Sequence, residues 1–142
     1  MSFTHWHGDM EAQYIYTAGI AGERFFRELK DNGKLVGTHC PKCDITYVPP
    51  RMYCEKCFAE LDEWEEVPLE GKVKAYTTVH VDIDDKPLAE PFVIGFVKID
   101  GTKGGLVHYI KAPEVENGMK VKAVLKEERI GSILDIEHFA PL

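Results

Sequence analysis

The chemistry most specifically written into this chain belongs to Cys40, Cys43, Cys54 and Cys57. They form two C-x-x-C pairs with ten residues between them, and no other cysteine is present. A two-residue gap lets both sulfurs of a pair reach one ion, so two such knuckles supply four soft thiolates to a tetrahedral Zn²⁺. That shell is complete. It leaves no position for a water or substrate, which makes the predicted site structural rather than catalytic. A disulfide pair or a redox C-x-x-C would use the same residues, but the doubled spacing favours a metal. Iron also accepts an S₄ cage.

Beyond the cysteines the catalytic inventory is thin. There is no G-x-S-x-G, no G-x-G-x-x-G and no G-x-x-x-x-G-K. With every thiol committed to metal, no cysteine nucleophile remains. His80, His108 and His138 fall in expected strands without a nucleophile nearby in sequence, and are read as packed or solvated residues. Two groups could serve a phosphorylated ligand. Arg51 follows Pro49-Pro50, which hold it on a stiff loop suited to phosphate or carboxylate; a surface ion pair is the plainer use. Lys120, Lys122 and Lys126 lie at even spacing on one expected strand and so share a face. Tyr76, His80 and Tyr109 offer flat surfaces on which a base could stack, although an ordinary wet outer face accounts for each of them singly.

These residues must be positioned by a mainly β chain. Residues 1–16 carry Phe3, His5, Trp6, His7, Tyr14 and Tyr16, read as an aromatic segment for packing on the body or on a partner. Thr17 to Asn32 is predicted as an amphipathic helix with Ile20, Phe25, Phe26 and Leu29 on its apolar stripe, stopped by Gly33. Lys34–Thr38 and Asp44–Val48 are expected strands around the first knuckle. Six acidic residues between Glu60 and Glu70, with no Lys or Arg among them, predict a solvated connector pinned by Trp64. Lys72 to Ile83 alternates, with Val73, Ala75, Thr77, Val79, Val81 and Ile83 expected inward and Lys74, Tyr76, Thr78 and His80 outward. Phe92–Asp100, Leu106–Ala112, Lys120–Glu128 and Ser132–Phe139 complete five strands, with the Gly101–Gly105 stretch read as a hairpin turn. Such a set suits a small curled barrel of the OB type. The expected organisation is a helical segment over 1–33, a zinc ribbon over 34–66 and a five-stranded OB-fold over 67–142.

The totals narrow the function classes. A chain of 142 residues with 44% hydrophobic content can bury a core. No basic start, apolar leader or run of membrane-spanning length is visible. Metal-held thiolates suit a reducing compartment, so a cytoplasmic location is expected. A formal net charge of −7 disfavours nucleic-acid binding, which relies on neutralising phosphates. A zinc-ribbon and OB-fold nucleic-acid binder stays the second reading. A free-standing enzyme such as a CoA thioesterase is the third, and it lacks an evident base and nucleophile in one place.

Taken in order, Ala21-Gly22-Glu23-Arg24-Phe25-Phe26-Arg27-Glu28-Leu29, Gly33-Lys34-Leu35-Val36-Gly37, the first knuckle, Pro49-Pro50-Arg51 and the second knuckle resemble the domain-of-unknown-function-35 family. That family joins a rubredoxin-like zinc ribbon to an OB-fold, and the resemblance runs from about Thr17 to the C-terminus. It implies a non-catalytic, acyl-CoA-associated protein that binds a thiolase-like or hydroxymethylglutaryl-CoA synthase-like partner and helps hold coenzyme A or acyl-CoA. The partner would supply the catalytic groups. The family pattern usually has Gly after the second Cys of each knuckle. This chain has Asp44 and Phe58, which predicts a distorted second knuckle, because Phe tolerates the left-handed conformation poorly.

Overall fold

The computed structural model describes residues 1–142. Residues 1–18 have no regular structure, and their aromatic side chains, Trp6 among them, are exposed. The helix α1 spans Gly19–Asn32 and ends on Gly33, whose left-handed φ of 62° lets its N–H bond the last carbonyls. Phe25 and Leu29 are buried, and Phe26 packs at the edge of the same core. Ile20, expected on that stripe, is instead exposed: it lies one turn too early, where α1 has run past the body it packs on.

Two sheets follow. The first has the order β3-β1-β2-β6, from β1 (Leu35–Cys40), β2 (Ile45–Val48), β3 (Glu63–Val67) and β6 (Lys103–Gly104). The second is a closed five-stranded barrel, β4-β5-β7-β9-β8, from β4 (Glu70–Val81), β5 (Pro87–Ile99), β7 (Leu106–Ile110), β8 (Lys120–Leu125) and β9 (Ile136–Pro141). It closes through a parallel contact of Ile110 with Phe139. The chain is therefore mainly β with one N-terminal helix, a ribbon and an OB-type barrel.

The acidic stretch is not a simple connector. Residues 63–67 pair antiparallel with β1, Leu35 opposite Val67 and Thr38 opposite Trp64. As an edge strand it keeps its glutamates in water while Val67 goes inward, and charges on an open edge discourage stray pairing. Trp64 does act as a pin. It packs against the main core, with the Arg24 guanidinium 4.3 Å from its ring centroid.

The long strand β4 also departs from expectation. A bulge between Val73 and Ala75 inserts Lys74, so the facing pairs become Val73–Val97 and Tyr76–Gly95. Directly opposed residues share a face, and one extra residue inverts the alternation. Tyr76 and Thr78 thereby join the side of Val73, whereas Ala75, Thr77 and Val79 turn to the other. The far half of β4 then projects beyond the barrel and is mostly exposed, Val81 included; Ile83, expected as its last residue, lies in the turn after the strand and is exposed as well. Ser132 caps a short 3₁₀ helix over Ile133–Asp135, so the last strand begins at Ile136 rather than Ser132. The fourth barrel strand ends at Leu125, short of Lys126.

One apolar core joins the parts. Phe25 and Leu29 of α1, Leu35, Val36, Val48 and Val67 of the ribbon base, and Val73, Val97, Ile99, Val121, Ile136 and Phe139 of the barrel belong to a single cluster of 15 buried residues. Lys103 and Gly104 leave the turn between β5 and β7 to pair in parallel with Tyr47 and Val48. A side chain at Gly104 would collide with the Val48 carbonyl, so this seam requires glycine there. The Gly101–Gly105 stretch is thus a turn that also stitches barrel to ribbon.

Candidate metal centre

The knuckles sit at the free end of the ribbon. The four Sγ atoms lie within 4.8 Å of one another, and those of Cys40 and Cys57 are 3.6 Å apart. Tetrahedral Zn–S bonds of about 2.3 Å put sulfurs about 3.8 Å apart, so the donor set and its spacing fit an S₄ metal. Cys40 and Cys54 are buried, and Cys43 and Cys57 are half-buried. Asp44 and Phe58 both adopt left-handed φ, 52° and 59°. The second knuckle is consequently closed rather than distorted: Phe58 N–H bonds Cys54 O at 2.9 Å, and Cys54 N–H bonds Ala59 O at 2.9 Å. The Phe58 side chain remains in solvent, which leaves its backbone free to take the turn.

The site has a small core of its own, Cys40, Tyr47, Cys54 and Leu61. The buried Tyr47 hydroxyl lies 3.3 Å from Cys54 Sγ. That bond is the main influence holding the Cys54 thiol down at about 6, and it pushes the phenol up to about 12. Hydrogen bonding with Cys57, together with burial, pushes Cys43 up to about 12. A divalent cation at the centre is what allows four thiolates to coexist there. Tyr47 was not singled out from the sequence. The signal was present: Ile45 and Tyr47 share one face of β2, and a tyrosine facing a metal knuckle carries a polar tip that needs a partner.

Arg51 is fixed by its backbone. The buried Thr38 hydroxyl accepts from Arg51 N–H and donates to Arg51 O, each at 2.8 Å. The guanidinium meets Glu55 at 2.8 Å and lies 5.3 Å from the Tyr47 ring centroid. Glu55 also pairs with Lys103, chiefly through a hydrogen bond that holds its carboxyl below the usual range. These contacts tie the P-P-R loop, the second knuckle and the barrel seam together.

The other expected residues are dispersed. Lys120 and Lys122 lie on β8 and Lys126 just past it, on a barrel strand that pairs with no ribbon strand. Lys122 is 3.8 Å from Glu70, whereas Lys120 and Lys126 make no ion pair. Tyr76 and Tyr109 stand on opposite faces, since Tyr76 aligns with Gly95 and His108 while Tyr109 aligns with Ile94 and Thr77. Tyr109 meets Phe92 edge-on, 5.4 Å between centroids, in a cleft of about 610 Å³ that also includes Lys111 and Glu137. Tyr76 lines a different cleft with Thr78 and Pro113. His80 is exposed on the projecting hairpin. His108 is buried; its Nε2–H donates to Ile133 O at 3.0 Å and its Nδ1 accepts from Tyr109 N–H at 2.8 Å, so both nitrogens are occupied. Burial pushes its pKa down. His138 Nδ1 is buried without a hydrogen-bond partner.

A four-cysteine ribbon stitched to a five-stranded OB barrel defines the structural class. Comparison with known proteins agrees on both halves. Residues 27–63 match the model for the ChsH2 rubredoxin-like zinc ribbon domain, and residues 64–126 match that for the ChsH2 C-terminal OB-fold domain. A DUF35 domain-containing scaffold protein of Methanocaldococcus jannaschii is 36% identical over 107 residues, covering 72% of this chain and 75% of the relative. A crystal structure of a DUF35-family protein of unknown function from Sulfolobus solfataricus superposes with a TM-score of 0.66 at 36% identity, covering 75% of this chain and 78% of that one. The fold also matches a chain of the Ltp2-ChsH2(DUF35) aldolase, with a TM-score of 0.61 at 24% identity over 84% of this chain and 93% of that one. The chain belongs to the DUF35 family.

Proposed function

We propose that this chain is a non-catalytic scaffold that binds an acyl-CoA enzyme of the thiolase or hydroxymethylglutaryl-CoA synthase type and contributes to holding CoA, with zinc as the structural metal. The observation that carries the reading is a pairing of family and surface. A relative named as a scaffold protein shares 36% identity, and this chain leaves large apolar side chains uncovered. Many lie in the 1–18 segment, Trp6 and Ile15 among them, and Val81 and Ile83 face solvent near the tip of the β4–β5 hairpin. Apolar surface of this kind marks a protein–protein contact.

Catalysis is assigned to the partner. Every cysteine is drawn to the metal centre, His108 has both nitrogens occupied, and His80 stands exposed and away from a cleft. For CoA, Lys120 and Lys126 are the phosphate candidates without an acidic partner. Lys122 and Arg51 would first have to leave Glu70 and Glu55. Tyr109 beside Phe92 is the better stacking surface; Tyr76 and His80 serve only a ligand that reaches the opposite side. No helix is long and apolar enough to cross a membrane, and the reading places no part of the chain in one.

Affinity purification from the source cell, with mass spectrometry, is expected to recover a thiolase-fold enzyme. Recovery of nucleic acid or ribosomal material alone would overturn the reading. With the partner in hand, CoA titration is expected to weaken severalfold in Lys120→Ala and Lys126→Ala. An unchanged affinity in Arg51→Ala would remove Arg51 from the CoA site and leave its guanidinium as a structural partner of Glu55.

A further inference from the structure

We propose that Tyr47 is an outer-sphere ligand of the metal centre: its hydroxyl donates to the Cys54 sulfur and helps the four-sulfur site retain its cation. The inference rests on the reading of the knuckles as a metal site.

Three observations place the hydroxyl in this role. Tyr47 is only 1% exposed, so its O–H has almost no water to turn to, and the Cys54 Sγ at 3.3 Å is its hydrogen-bond partner. A buried phenol needs an acceptor, and a metal-bound thiolate is a charged one. The ring is also held from several sides. It belongs to the knuckle core with Cys40, Cys54 and Leu61; its backbone pairs with Thr38 and with Lys103; the Arg51 guanidinium covers it. The donor is thus aimed by packing rather than by chance rotation. Finally, the sulfurs are not equivalent. Cys43 and Cys57 have water available, whereas Cys40 and Cys54 are fully buried, and it is Cys54 that the phenol reaches.

Four thiolates around a divalent cation leave a net charge of about −2 on the cluster. A donor aimed at one of the two buried sulfurs spreads that charge beyond the four ligands. Hydrogen-bonding partners behind metal ligands usually alter affinity by about 10- to 100-fold.

Tyr47→Phe keeps the ring and deletes only the donor. In competition with a chromophoric chelator, the variant is expected to hold zinc about 10-fold or more weakly than the unaltered chain. In the cobalt-substituted protein, the sulfur-to-cobalt charge-transfer band is expected to move to lower energy, because the sulfur lone pairs rise when the bond is lost. Tyr53→Phe is the control: Tyr53 is 60% exposed and its hydroxyl bonds no sulfur. It should change neither readout. A Tyr47→Phe protein with an unchanged band and unchanged competition would overturn the proposal, even if its melting temperature fell, since packing alone would then explain the residue. Should the unaltered chain bind no zinc or cobalt, the metal-site reading itself fails, and the inference with it.

Discussion

The ribbon tip and the barrel solve the same problem by different means. At the tip, four buried residues, Cys40, Tyr47, Cys54 and Leu61, are all the core there is. The barrel, the ribbon base and α1 share 15 buried apolar residues. Burying apolar side chains contributes roughly 1.5–3 kcal/mol for each large one, so a handful cannot order a hairpin of some twenty residues whose conformational entropy costs about 1–2 kcal/mol each. The tip therefore depends on the metal its four cysteines would hold, whereas the base of the same ribbon does not. Leu35, Val36, Val48 and Val67 belong to the core that the ribbon base shares with the barrel and α1.

The largest effect should come from breaking the tip alone. Chelation, or Cys54→Ser, is expected to remove stabilisation on the order of 10 kcal/mol from the ribbon end. Hydrogen exchange should then report lost protection from Cys40 to Leu61 with the barrel amides still protected. Simultaneous loss across both regions would show that the two cores are one. The converse cut is Phe139→Ala. Its ring is fully buried where the barrel closes, and truncation is expected to cost about 3–5 kcal/mol in urea unfolding. Metal binding at the tip should stay intact at low urea.

A third prediction concerns the barrel's only buried carboxylate. Asp135 is opposed by its own burial, yet the N–H groups of Ile130, Gly131 and Ser132, at 2.9, 2.7 and 3.2 Å, hold it below the usual carboxylate range. A depressed folded value means that its contribution is fully present above the unfolded pKa, about 3.9, and is lost as pH falls through the folded value. His108, also depressed, acts in the same direction: its neutral form suits the fold, and stability declines as pH falls below about 6.5. Asp135→Ala, which strands three donors, is expected to cost about 1–3 kcal/mol and to flatten the acid limb of a stability–pH curve below about pH 4. An acid limb identical to that of the unaltered chain would refute this assignment. The smallest effect returns to the tip. Phe58→Gly removes a left-handed Phe and is expected to stabilise the metal-loaded chain by up to about 1 kcal/mol, read as a higher urea midpoint. A lower midpoint would mean that the exposed ring contributes more than its backbone costs.

Much of this was legible in residue order. Cys40, Cys43, Cys54 and Cys57 announced the metal centre through spacing alone, because two-residue gaps are a local geometric requirement. The Gly33 stop and the five barrel strands followed from equally local rules. Errors arose wherever one residue changed a register. Lys74 looks like any outward lysine, yet as a bulge it inverted β4 and carried Tyr76 away from the face of Tyr109. The 60–70 stretch read as connector because its charges say "wet" in either case, and only pairing with β1 makes part of it a strand.

What the sequence determined by itself is therefore the set of local commitments: which sulfurs share an ion, where the helix stops, and that a five-stranded barrel follows. Only the tertiary structure decided which side chains meet. Tyr47 found Cys54, Thr38 clipped the Arg51 backbone, and Lys103 reached Glu55 across 48 positions of chain. Such contacts depend on the relative placement of separate elements, and a shared core sets that placement. No short window of sequence contains it.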